Sequence, residues 1–224
     1  MEIDITMLII CALLWCCIEF AVLILFRIKC QKLQDSEQVI APQKLWKGRL
    51  CIGIFILAAL LCGYQTAWMV QSVFDVIKVF LVYVIFSLSV LTDLKFYRIP
   101  NIFPITLIVG RIVLFIPEYF CRKEVFLDLL KESLLGGTIS LIILLIVSLI
   151  SKGGFGMGDV KLLAAEGCMM GLYGVINTLL YALVCCAAGA LLLLVSHKKT
   201  LKDKIPFAPF IYAGFVICVA MGGY

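Results

Sequence analysis

Two aspartates sit where an apolar run meets polar chain. Asp93 closes one such run, in Leu91-Thr92-Asp93-Leu94-Lys95. Asp159 opens another, in Gly153-Gly154-Phe155-Gly156-Met157-Gly158-Asp159-Val160-Lys161. A carboxylate at the hydrocarbon boundary is costly and is a functional-site hypothesis by default. Two that meet in space can share one proton, because like charges a few ångströms apart resist joint ionisation. The ionised member can then take a proton from water as it attacks a peptide carbonyl, and the protonated member can steady the developing oxyanion. That is aspartic protease chemistry, and it requires no metal.

The segments around the pair suit that chemistry. Gly153, Gly154, Gly156 and Gly158 let the backbone bend where a helix must start at membrane depth, which is tolerated only inside protein or against a watery cavity. They also let a substrate backbone lie close to a carboxylate. Asp93 is followed by Phe96-Tyr97-Arg98-Ile99-Pro100-Asn101, in which Pro100 starts the next span. Pro206 and Pro209, in Ile205-Pro206-Phe207-Ala208-Pro209-Phe210, loosen the first turn of a further span and predict one wall of a site for an extended peptide. The two aspartate segments also have a bland alternative each. Asp159 would serve as a helix N-cap with Lys161 at the interface, and Asp93 would pair with Lys95 or Arg98.

These residues must be positioned by a helical bundle in a membrane. Of the 224 residues, 64% are hydrophobic, and the mean hydropathy is +1.15. An all-α polytopic bundle is the ordinary solution for such a composition. One domain over 1–224 is expected. The start of the chain is acidic and lacks a small-residue cleavage motif, so no cleaved signal peptide is expected. The net charge of +5 reports topology here and not nucleic-acid binding. Most of the 11 cysteines fall in apolar runs, among them Cys11, Cys16, Cys17, Cys62, Cys185, Cys186 and Cys218. They read as small hydrophobes, with no CxxC pair to hold zinc. His197, the single histidine, reads as a solvated loop residue.

Apolar spans are expected at 5–26, 50–70, 76–92, 102–117, 133–151, 174–196 and 206–223, with a shorter helix at 160–172. If the short helix crosses, 14 of the 19 Lys and Arg residues fall on one side, which the positive-inside rule makes cytoplasmic. That reading gives about eight crossings and puts Asp93 and Asp159 at the cytoplasmic face. The loop 27–49 is polar and too short for a domain. The stretch Glu118–Glu132 has the spacing of an amphipathic surface helix.

Taken together, Asp93 with Ile99-Pro100-Asn101, Gly156-Met157-Gly158-Asp159-Val160-Lys161-Leu162, and Pro206-Phe207-Ala208-Pro209-Phe210 resemble the type IV prepilin peptidases, GxGD-type intramembrane aspartic proteases. The resemblance covers the whole chain in span count and order. It implies an endopeptidase that removes the short basic leader of prepilin-like proteins, with Asp93 and Asp159 as the catalytic pair. By the same motifs, Gly156, Gly158, Lys161, Pro206 and Pro209 shape the site or touch the substrate. It implies a multi-pass protein of the bacterial inner membrane, with prepilins or pseudopilins and membrane lipids as partners and no cofactor. Two-function members carry a cysteine-rich segment between the first two spans and also N-methylate the product. Here 27–49 holds only Cys30, so a peptidase-only form is expected, similar to short members from tight-adherence (Flp) pilus systems.

A transporter or channel would also use intramembrane acids and broken helices. However, these two aspartates sit at one face rather than near the midplane, and no inverted repeat is visible. A non-catalytic pilus-assembly protein is the other rival, and it would tolerate loss of either aspartate. Glu19 reads as a neutral buried acid. Arg111 reads as paired with a carboxylate or snorkelling. Glu166, two helical turns after Asp159, reads as structural.

Overall fold

The computed structural model describes residues 72–151, 155–195 and 206–223, together with Ala58 and Cys62. The chain divides into two units, Met1–Gln71 and Ser72–Tyr224. The expected spans 5–26 and 50–70 lie outside the described residues except for those two, and so do loop 27–49, Gly153, Gly154 and His197.

Five helices make up the described residues of the second unit: α1 Val73–Phe96, α2 Ile102–Cys121, α3 Phe126–Ile150, α4 Met157–Val195 and α5 Ala208–Ala220. No strand occurs among them. The first four are long and apolar enough to cross a membrane, and α5 is shorter. Eight crossings are therefore not supported; the all-helical membrane architecture is.

Local chemistry sets the helix boundaries. At the start of α1 the Ser72 hydroxyl accepts from the Phe74 N–H at 3.3 Å, capping one of the orphan donors of the first turn. Along α1 the hydroxyls of Ser87, Ser89 and Thr92 donate back to carbonyls three or four residues earlier, so they can lie buried without an unmet donor. On α2 the side chains of Ile105, Ile108, Val109, Ile112, Val113 and Ile116 stay exposed, as a face against hydrocarbon requires.

The short expected helix and its successor appear as the two arms of α4, joined at Gly171 with φ 75° and ψ −177°, a backbone state essentially confined to glycine. The chain reverses there. Thr178 Oγ1 donates to Glu166 Oε1 at 2.6 Å, although twelve residues of continuous helix would hold them about 18 Å apart. The first arm packs closely on α3, where Gly136 and Gly137 meet Gly167 and Cys168. Small residues allow this approach, as in membrane helix pairs generally. The second arm runs back along α5, with Gly189 beside Phe210 and Gly214 beside Ala182.

The amphipathic surface helix expected at Glu118–Glu132 is absent. Instead α2 continues to Cys121, the chain turns over 122–125, and α3 begins at Phe126. Two forces turn it. Phe126 packs edge-on against Phe115 and Tyr119, with centroids 5.9 and 5.1 Å apart. Glu118 is drawn inward by Lys78 and Arg111, each at 3.0 Å. Arg111 also donates to Ser133 Oγ at 3.3 Å, and Ser133 donates to the Cys168 carbonyl. Four helices are thereby tied together at the end away from Asp93, since Lys78 lies about 22 Å back along α1.

Candidate active site

Asp93 lies in the last turn of α1, and Asp159 in the first turn of α4. Both are buried, at 8% and 9% exposure. They line one cavity of about 260 Å³ with Tyr97, Arg98, Ile99, Gly156, Met157 and Gly158. A water occupies about 30 Å³ of liquid, so the cavity has room for a hydrolytic water and part of a peptide.

The two carboxylates are held differently. Asp93 Oδ2 accepts from the Ala208 backbone N–H at 3.1 Å, one of the donors left unpaired at the start of α5. Tyr212 donates to Tyr83 through their hydroxyls at 2.8 Å, and Phe215 packs on Phe86 at 5.3 Å. These contacts hold α5 against α1 and keep Ala208 beside Asp93. Asp159 Oδ1, in contrast, is buried with no hydrogen-bond partner. A polar atom left bare in the interior, as Glu166 Oε2 also is, costs free energy and calls for an explanation. The residue that carries Oδ1 lines the cavity shared with Asp93.

Neither bland alternative describes these residues. Among the described residues neither aspartate forms an ion pair. Lys95 lies over the ring of its neighbour Phe96, 5.3 Å from the centroid. Asp159 is inside the first turn rather than at the cap: its N–H donates to the Gly156 carbonyl at 3.0 Å, and the Val160 N–H follows at 3.2 Å.

Both glycines of Gly156-Met157-Gly158-Asp159 are required by space. A Cβ on Gly156 would stand 2.8 Å from Asp159 Oδ2, and one on Gly158 would stand 3.0 Å from Ile99 Cβ. Gly156 makes room for the carboxylate. Gly158 lets the chain leaving α1 lie against the start of α4, which brings the two aspartates to one cavity. Lys161 lies outside the cavity and donates to Asn101 Oδ1 at 3.2 Å, clamping the same two segments together. Pro206 and Pro209 are not among the cavity's lining residues. They flank Ala208, whose N–H holds Asp93, while Phe207 packs on Phe155 at 5.2 Å. The expected wall is thus a support for Asp93 from behind.

Sequence reasoning passed over Tyr97, Arg98 and Met157 as lining residues, and the Ala208 N–H. The proline pair was the one signal for the last of these, because it marks the start of a helix, where backbone N–H groups have no intrahelical partner. Among the described residues no cluster of three or more His, Cys, Asp or Glu side chains is placed to hold a metal ion.

Among known proteins, the type IV leader peptidase family matches residues 80–193, just over half of the chain and a range that includes both aspartates. A prepilin leader peptidase/N-methyltransferase of Bacillus subtilis is 26% identical over 133 residues, covering 58% of this chain and 50% of the relative. Leader peptidase HopD of Escherichia coli is 36% identical over 101 residues, covering 43% of this chain and 64% of the relative. The chain therefore spans between half and two thirds of the length of these relatives. No solved structure matches.

Proposed function

We infer a function from one premise: the chain belongs to the type IV leader peptidase family. It acts as an aspartic endopeptidase that removes the short basic leader from prepilin-like proteins, including the Flp type, at the cytoplasmic face of the bacterial inner membrane. One observation carries this reading. Two carboxylates 66 residues apart line a single cavity, with Asp159 Oδ1 bare and, among the described residues, no cation neutralising either. Such a pair suits a shared proton and an activated water.

In the proposed reaction the ionised carboxylate takes a proton from water as its oxygen attacks the scissile carbonyl. The protonated one donates to the forming oxyanion. Collapse of the tetrahedral intermediate breaks the C–N bond and sends a proton to the leaving amine. The cavity's rim supports a cytoplasmic orientation, because Arg98 and Lys161 are exposed beside it and membrane proteins keep such residues inside. The same cations suit contact with anionic headgroups. Leader removal is the whole reaction in this reading, with no methyl group added by this chain.

Co-expression with a prepilin from the same genome tests it. Wild type should shorten the prepilin on a gel. Asp93→Asn and Asp159→Asn should each abolish the shift while still inserting in the membrane, since an amide can neither act as base nor share the proton. Substantial processing by either variant rules out the paired-aspartate mechanism.

A further inference from the structure

We propose that Tyr97 is a specificity-determining residue of this site, its ring forming the wall against which the substrate residue beside the scissile bond lies. The inference rests on the peptidase reading above and adds the residue that meets the substrate.

Tyr97 has an unusual backbone. Its φ is 52° and its ψ 33°, and it is the only non-glycine residue with positive φ among those described. Side chains with a Cβ avoid this left-handed region, and helix ends that need it use glycine, or less often asparagine. The turn itself has a structural purpose. The Tyr97 N–H donates to the Asp93 carbonyl at 2.9 Å, closing the helix that carries Asp93. The left-handed step then directs the chain so that Ile99 lies against Gly158. Those facts account for the turn but not for a tyrosine in it, since glycine would make the same turn without strain.

Position accounts for the side chain. Tyr97 is 47% exposed and lines the cavity shared by Asp93 and Asp159. Tyrosines at a membrane surface often belong to an aromatic belt among headgroups, but this one borders the cavity that the aspartates line. A strained residue kept at a reactive cavity is a sign of function. A phenol ring offers a broad apolar face at low conformational cost, suited to a side chain or peptide plane of an extended chain.

The test uses the full chain in membranes or detergent, with a purified prepilin as substrate. Tyr97→Gly and Tyr97→Asn should melt at the same temperature as wild type or higher, yet raise KM about tenfold with kcat changing less. Tyr97→Phe should behave as wild type. Prepilins altered at the residue flanking the cleavage point should be discriminated by wild type and cut alike by Tyr97→Gly. A Tyr97→Gly enzyme with unchanged KM and unchanged discrimination overturns the inference while leaving the peptidase reading intact. A wild-type chain that cuts no prepilin defeats that reading, and this inference with it.

Discussion

Gly158→Ala should slow prepilin cleavage although it adds a single methyl group. The new Cβ would stand 3.0 Å from Ile99 Cβ, whereas non-bonded carbons settle at about 3.5–4.0 Å. Ile99 and the first turn of α4 must therefore separate by a few tenths of an ångström. That contact lies between the two aspartates in structure: Asp159 follows Gly158 directly, and the chain leaves Asp93 through Ile99. Misplacement of reacting groups by about 1 Å costs on the order of 100-fold in rate, so a shift of a few tenths should cost about tenfold or less, up to about 1.4 kcal/mol of barrier. Overpacking of the fold itself should cost about 1–3 kcal/mol. The assay is single-turnover cleavage of a prepilin in detergent, with thermal unfolding measured alongside. Ile99→Gly supplies the control, because it removes the atom that is struck. In that background Gly158→Ala should lose much less rate, giving a double-mutant coupling of opposite sign to the single effect. Wild-type turnover by Gly158→Ala, or an equal loss in both backgrounds, would refute the claim that this glycine sets the spacing of the aspartates.

Three further outcomes are expected. Glu118→Gln leaves Arg111 buried without a carboxylate and Lys78 with Asp75 alone, and should lower stability by about 3 kcal/mol; thermal unfolding should show it, while the folded fraction keeps its kcat. A cysteine at Lys95, in a background cleared of competing native thiols, should react with an impermeant thiol reagent from the cytoplasmic side only, and labelling from outside would reverse the orientation. Mass spectrometry of a prepilin processed by this protein alone should find an unmodified new N-terminus, and a methylated one would contradict the peptidase-only reading.

Much of the site was legible because its residues break local rules. A carboxylate ending an apolar run, and four glycines before another, are anomalies in so apolar a chain, so Asp93 and Asp159 stand out in sequence. The division of 160–196 into a short helix and a longer one was also visible, and the reversal falls at Gly171, one residue before the expected end of the short helix. What could not be read depends on contacts between segments distant in sequence. Glu118 looks like a loop residue until Lys78, forty residues earlier, is seen to reach it. The proline pair looks like a wall until Ala208 N–H is found on Asp93. Tyr97 carries no signal of a left-handed turn, because tyrosine is a poor choice for one.

The distribution of these features along the bundle follows a physical logic. Beside the cavity the protein tolerates costly local states: a left-handed tyrosine and a carboxylate oxygen without a partner. Each destabilises the folded chain and must be over-determined by its surroundings. The compensation lies about 22 Å away by helix rise, where Glu118 binds two buried cations and Ser133 links Arg111 to α4. Beside that anchor, α3 and the first arm of α4 meet through Gly136, Gly137 and Gly167, a contact too close to slide without steric penalty. The first turn of α4 is thus carried on an arm fixed at its far end, while Ser148 of α3 donates to the Phe155 carbonyl just before that turn at 3.1 Å, so Asp159 can remain unpartnered without the helix start rearranging to satisfy it. Loosening that arm at Gly136 or Gly167 should therefore lower turnover through a site that the substitution never touches.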